Sequence, residues 1–262
     1  MSVQVEIGMS PLVLAQPHGG VEIPADVLAR LNQTGCAIAD TDWHIHRLYD
    51  GLLEDVTVVS TSIHRYVIDA NRDPADVSLY PGQNTTGLCP TTDFDGESIY
   101  LEDEEPSTDE IQQRQQQYHQ PYHDALREQL ERVHQKHGYV LLYDCHSIRS
   151  HVPYLFEGQL PDFNIGTNNG ATCDAVIESN VVQACAEATA YTRVLNGRFK
   201  GGWTTRHYGN PESGYHAIQM EIAQHNYMLE VPPWRFDPVK SQVLRAALRP
   251  VLESLIAFKP PV

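Results

Sequence analysis

Apolar positions along the chain follow two periods. Short runs rich in β-branched residues recur at 12–15, 56–60, 66–69, 139–143, 192–195 and 217–222, each closed by polar or glycine-bearing residues. Bounded runs of that length predict buried strands. Between them the spacing is helical. Residues 24–32 open on Pro24, which suits a first helical turn. Trp43, His46 or Arg47, Tyr49 or Asp50, and Leu53 then recur at three-to-four spacing. The longest predicted helix starts at Ser107, where the sequence STDE supplies an N-cap and first-turn acids. It runs to His137 with Gly138 as its stop, and Pro121 should kink or break it. Helices over 174–190 and 238–257 complete the set. Strands alternating with helices predict an α/β sandwich with a mainly parallel sheet. No repeat, low-complexity tract or linker divides residues 1–262, which read as one domain. The block 72–106 is punctuated by Pro74, Pro81, Gly82, Gly87, Pro90, Gly96 and Pro106. An irregular excursion of that length inside a compact domain usually serves function.

Composition narrows the class. Of 262 residues, 41% are hydrophobic and 20% charged, so there is material for a core. No stretch approaches the ~18 apolar residues of a membrane span, and the N-terminus lacks the basic flank of a secretory signal. A formal net charge of −16 argues against nucleic acid or an anionic membrane as partner. Five cysteines without a CxxC pair leave one over in any disulfide scheme, which points to free thiols in a reducing cytoplasm.

In open α/β sheets, ligands bind beyond the carboxyl ends of strands. The first predicted strand leads into QPHGG, placing His18 there. The run at 139–143 leads into DCHS, with Asp144 and His146, and that at 66–69 leads into ANRDP, with Asn71 and Arg72. His18 and His146 are the metal-ligand candidates. A catalytic zinc wants a third protein ligand and an open position. ADTDWHIH offers Asp40, Asp42, His44 and His46, of which Asp42 is preferred. The plainer reading of that cluster makes Asp40 or Thr41 a helix N-cap and the two histidines surface residues. Glu221 lies inside the apolar run HAIQMEIAQ, where an unpaired carboxylate is costly. Burial should raise its pKa toward that of a general base. From 188 to 211 there is no acidic residue, but there are Arg193, Arg198, Lys200 and Arg206. With Arg72, these are candidate partners for a carboxylate-bearing substrate. There is no GxSxG elbow around Ser147 and no glycine-rich phosphate loop. Cys145 and His146, adjacent on a strand, point to opposite faces and do not pair.

PHGG, DTDWHIHRLYD, RYVIDANRDP, LYPGQNTTGLCPTTDFDGESIY, DCHSIRS, LFEGQLPDFNIGTNNGATCD, NGRFKGGWTTRHYG and HAIQMEIAQHNYM occur in this order between about residues 11 and 230. Together they resemble the N-formylglutamate deformylase (N-formylglutamate amidohydrolase) family. The resemblance implies a fold similar to zinc carboxypeptidases and aspartoacylases: a mixed, mainly parallel eight-stranded sheet between helices, of the phosphorylase/hydrolase-like kind, with one zinc ion at the strand ends. It implies hydrolysis of N-formyl-L-glutamate to formate and L-glutamate, the closing step of one route of histidine degradation. Carried over by position, the zinc ligands fall on His18, Asp42 and His146 and the base on Glu221, with the Asn71–Arg72 pair on a substrate carboxylate. The carboxypeptidase HxxE pattern is not kept: Val21 stands third after His18 and Glu22 fourth. The second ligand is then Glu22 or Asp42, and the phase of the turn favours Asp42. The implied mechanism adds Arg65 as the cation on the oxyanion, and Arg149, Arg198 or Arg206 on the remaining carboxylate. Two alternatives share these features: a zinc amidohydrolase for another N-acyl acidic amino acid, and a non-enzymatic metal- or ligand-binding protein.

Overall fold

The computed structural model describes residues 2–260. Its strands are β1 (Val3–Glu6), β2 (Leu12–Gln16), β3 (Thr57–Thr61), β4 (Val140–Ile148), β5 (Phe163–Gly166), β6 (Arg193–Leu195) and β7 (Tyr215–Ala223). They form one sheet in the order β1-β3-β2-β4-β7-β5-β6. The β3-β2-β4-β7 centre is parallel; β1 joins β3 antiparallel and β5 joins β7 antiparallel. The sheet is therefore mixed and mainly parallel, with seven strands among the described residues rather than eight.

The run at 66–69 is not a strand. Side chains take its carbonyls instead of a neighbouring strand: Tyr66 O accepts from Tyr100 Oη at 3.4 Å and Val67 O from Arg114 Nη1 at 2.9 Å, and just beyond the run Ala70 O accepts from His123 Nε2 at 2.8 Å. An apolar run reports burial, and here burial comes without sheet pairing. β1 and β5, four residues each, lack a distinct apolar signature; the exposed face of β1 is polar or partly wetted.

The helices are α1 (Ala25–Leu28), α2 (Gln33–Cys36), α3 (Ile45–Tyr49), α4 (Thr108–Arg114), α5 (Gln120–His137), α6 (Ala175–Glu187), α7 (Trp203–Tyr208) and α8 (Pro238–Ile256). The segments at 24–32 and 43–53 hold only single helical turns. Ser107 caps α4, accepting from Glu110 N at 3.3 Å, and Gly138 ends α5 at φ +78°. Pro121 does not break the helix. A π-helical turn, Gln115–His119, joins α4 to α5. It absorbs the wider spacing needed where Pro121 supplies no N–H and crowds the carbonyl four residues back. On one face of the sheet α5 packs Tyr122, Leu126, Leu130 and Val133 against Val13, Ala15, Val140 and Leu142. The alternate residues Leu12, Leu14, Leu141 and Tyr143 face the opposite core, filled by Ile177 and Val181 of α6 and Leu244, Leu248 and Val251 of α8. Two-sided cover explains why the central strands read as unbroken apolar runs. Among the described residues, no helix is long and apolar enough to cross a membrane.

Candidate metal centre and anion pocket

The parallel strands deliver their chemistry to one edge. His18 follows β2, His146 lies on β4, and the sheet register sets Glu221 of β7 directly beside His146. Asp42 comes from the loop before α3, which is tied to the histidine loop by Asp42 N donating to His18 O at 3.1 Å. Gly20 lets the same loop lie against the chain that follows β3: a Cβ there would stand 2.4 Å from the carbonyl carbon of Ser62.

His18, Asp42 and His146, all buried, bring one ligand atom each within 4.8 Å of the others. The two Nδ1 atoms lie 3.1 Å apart, and Asp42 Oδ2 is 3.2 Å from His146 Nδ1 and 3.9 Å from His18 Nδ1. The far nitrogens face carboxylates. His18 Nε2 is 2.7 Å from Asp69 Oδ1, and His146 Nε2 is 3.0 Å from Asp144 Oδ1, off the axis of a hydrogen bond, and 2.9 Å from Asn71 Nδ2. Asp69 behind His18 favours the tautomer whose lone pair is on Nδ1, whereas His146 Nε2 accepts from the Asn71 amide. The His18 Nδ1 and Asp42 Oδ2 lone pairs converge beside His146 Nδ1, and among the described residues Asp42 Oδ1 is buried with no hydrogen-bond donor. Converging lone pairs and an orphaned carboxylate oxygen are what a cation would satisfy, so this group fits a metal ion. Two histidines and one carboxylate are the ligand set of open, hydrolytic metal sites.

The surroundings drive the two histidines in opposite directions. Burial pushes His18 toward its neutral form, with Arg65 acting in the same direction. Burial also opposes charge on His146, but Asp144 and Asp42 override it and hold its pKa well above the usual histidine value. Burial would raise the pKa of Asp69, yet its His18 and Arg65 partners hold it well below the ordinary range. Arg65 is buried between them, its Nη2 donating to Asp69 Oδ2 at 2.7 Å and its Nη1 lying 3.7 Å from Asp42 Oδ1. Burial raises the pKa of Glu221 to about 8, opposed by His146.

His18, His146, Arg65, Asn71, Arg72, Arg198, Gln219 and Glu221 line one pocket. Neither Arg72 nor Arg198 pairs with a carboxylate among the described residues. Arg72 donates through Nε to Thr86 O at 2.8 Å, and Arg198 through Nη2 to Asn84 O at 3.0 Å. Their mutual repulsion helps depress the pKa of Arg198, after the larger effect of burial. The other expected residues lie elsewhere. Arg149 lies outside that pocket lining, its Nη2 held by Asp40, at 3.4 Å, and Asp95, at 2.9 Å. Arg206 donates to Gly201 O and stacks on Tyr80 outside the pocket lining. Asp40 does not cap α3, whose N-cap is His44; it accepts from Tyr66 Oη and Phe94 N, both at 2.8 Å, and burial raises its pKa to about 6. Glu22 accepts from Ser62 Oγ on the surface, away from the histidines. Cys145 is buried in the core with its pKa driven up by burial, so its thiol is inert.

Two residues of the site escaped the sequence reading. Asp69 was hidden because its segment was taken for a strand. Gln219 carried a usable signal: it stands two residues before Glu221 on one strand, and period two puts both on the same face.

The fold and site define an α/β protein whose sheet edge carries a buried two-histidine, one-carboxylate group beside a pocket lined by Arg65, Arg72 and Arg198. The profile of the N-formylglutamate amidohydrolase family matches residues 10–228. N-formylglutamate deformylase of Pseudomonas putida is 45% identical over 252 residues, covering 96% of this chain and 94% of that protein. Its counterpart in Pseudomonas aeruginosa is 46% identical over 253 residues, with the same coverage. The chain belongs to the N-formylglutamate amidohydrolase family. The fold is shared with the crystal structure of N-formylglutamate amidohydrolase from Ralstonia eutropha JMP134 (TM-score 0.80, 23% identity, 97% of each chain). It is shared more distantly with a gene product of Agrobacterium tumefaciens (TM-score 0.66, 20% identity, 97% of this chain and 94% of that one).

Proposed function

We propose that the protein is a zinc-dependent amidohydrolase that converts N-formyl-L-glutamate and water to formate and L-glutamate. The observation that carries this is the adjacency of the His18–Asp42–His146 group, the buried Glu221 carboxylate and two arginines without acidic partners among the described residues. His18, Asp42 and His146 would hold the ion. When bound, zinc supplies Lewis acidity that polarises a carbonyl and lowers the pKa of water from 15.7 toward about 7.

The chain's own groups do the rest. Arg72, with Asn71 beside it, and Arg198 bind the two substrate carboxylates and so fix the formyl carbon near Glu221. A Glu221 carboxylate oxygen takes a proton from the attacking water and delivers it to the amide nitrogen as the C–N bond breaks. With its pKa raised by burial, Glu221 has the proton affinity for both transfers. Arg65 faces the developing oxyanion, where losing one such donor typically costs about 3–4 kcal/mol.

The test is formate release from N-formyl-L-glutamate by zinc-loaded protein, beside a chelated sample. Turnover lost on chelation and restored by zinc is expected. Absence of turnover with zinc demonstrably bound would redirect the search to other N-acyl dicarboxylates.

A further inference from the structure

The segment Asp69–Arg72 supplies both Asn71 and Arg72 without belonging to the sheet, so something else must fix its backbone. Asn71 is held on three sides: its N–H donates to Asp69 Oδ1 at 2.8 Å, its Oδ1 accepts from Thr204 N at 2.8 Å, and its Nδ2 is 2.9 Å from His146. The flanking carbonyls are taken by two histidines one helical turn apart. His119 Nε2 lies 3.1 Å from Arg72 O, and His123 Nε2 lies 2.8 Å from Ala70 O. A carbonyl only accepts, so both imidazoles carry their proton on Nε2. Tyr208 Oη, 3.1 Å from His123 Nδ1, can donate to the remaining lone pair. Both rings are buried, in contact with centroids 4.4 Å apart and planes tilted by 43°, and covered by Trp203.

His119 is the last residue of the π-helical turn, and His123 follows in α5. An extra residue in a helix rotates everything beyond it by about 100° relative to what precedes it. Arg114, before the turn, reaches Val67 O, two residues ahead of that segment. The π turn thus lets residues on both sides of it point at one stretch of chain. Placing a local helical irregularity where it serves a site is a recurrent use of π turns.

We propose that His119 and His123, set by the π turn, are positioning residues for the Asn71–Arg72 carboxylate grip. Neither touches substrate; they hold the backbone on both sides of Asn71, and through it the direction of the Arg72 guanidinium. This rests on the reading of Arg72 as a substrate-carboxylate partner. The test compares H119Q, H119N and H119L with wild type, and the same three changes at His123. Glutamine can place its amide nitrogen near the Nε2 position; asparagine, of similar polarity, is too short. The measurements are KM and kcat for N-formyl-L-glutamate, zinc content, and the Kd of glutarate for the chelated protein, read by calorimetry. H119N and H119L should raise KM and the glutarate Kd about tenfold, the size of one lost hydrogen bond. In these two variants kcat should stay within about threefold and zinc content should not change. H119Q should recover most of the affinity. Equal KM and Kd in the glutamine and asparagine variants would overturn the proposal, as would loss confined to kcat. If wild type itself neither turned over N-formyl-L-glutamate nor bound glutarate, the carboxylate reading would fall first, a result separate from any difference among the variants.

Discussion

Gln219 Nε2 donates to Glu221 Oε2 at 3.1 Å, while Gln219 Oε1 accepts from the N–H of Gly202 at 2.6 Å. One buried amide thus joins the proposed base to the start of α7, in the segment that carries Arg198. Gly202 is confined there, since a Cβ would stand 2.4 Å from Asn71 Nδ2.

The roles of the two residues separate in a pair of variants. Glu221→Gln should keep its zinc and lose at least ~10²-fold in kcat, the usual worth of a general base. Gln219→Leu should lose about tenfold in kcat through disorientation of that carboxylate. Steady-state kinetics with metal analysis would check both, and near-wild-type kcat in Glu221→Gln would refute the assignment of the base.

Metal affinity should depend on Asp42 and on the carboxylates behind the histidines, and not on Glu22. Asp69→Ala and Asp144→Ala should weaken zinc binding about 10–100-fold. Asp42→Ala should abolish stoichiometric loading, and Glu22→Gln should leave it unchanged. Competition with a chromogenic chelator gives the affinities. Zinc retained by Asp42→Ala would reopen the choice of ligand.

The arginines should divide by partner. Arg72→Met or Arg198→Met should raise KM by at least tenfold, because each leaves a substrate carboxylate unpaired in a buried pocket. Arg149→Met should act on stability instead, since it strands Asp40 among buried neighbours. Kinetics and thermal melts on the three variants would distinguish the two outcomes. A large KM effect at position 149 would restore that residue to the substrate site.

Buried neutral histidines should make the fold acid-sensitive. His64 accepts from Tyr66 N through Nδ1 at 3.1 Å, and burial, reinforced by Arg65, lowers its pKa from 6.5 to about 3. The folded form resists protonation that the unfolded chain accepts, so stability is full above about pH 6.5 and falls as pH drops toward 3. At pH 5 this single group should cost about 2 kcal/mol, or roughly 4–8 °C in Tm for a chain of this size. Melts of chelated protein at pH 7.5 and 5.0 would test it. His64→Asn, which keeps an acceptor for Tyr66 N–H, should flatten the difference; an unchanged slope would assign the acid sensitivity elsewhere.

The central strands and the pairing of His18 with His146 were legible because strand ends can be read from where apolar runs stop. Glu221 was legible as a carboxylate inside an apolar run, where charge is costly, and Asp42 as one member of an Asp/His cluster before a helical pattern. What stayed hidden was set by tertiary hydrogen bonding. The 66–69 run is buried like a strand but satisfied by side chains, and Arg149 could not be told from Arg198 until their partners were visible. The π turn follows from Pro121 only once α4 and α5 are known to share a continuous helical path. Glu22 and Asp42 differ not in chemistry but in which side of the histidine loop they stand on.

Arg72 and Arg198 have no carboxylate partner among the described residues, in a protein of net charge −16. A dianion approaching from solution is repelled by the molecule as a whole and attracted only within the pocket. Added salt therefore acts in opposite senses at the two ranges. Beyond the roughly 8–10 Å Debye length of physiological solutions it screens the repulsive field and speeds encounter; inside the pocket, where water is scarce, it touches the arginine contacts little. The protein should consequently take up its substrate faster as ionic strength rises from low values, the reverse of an enzyme that steers its ligand by net charge.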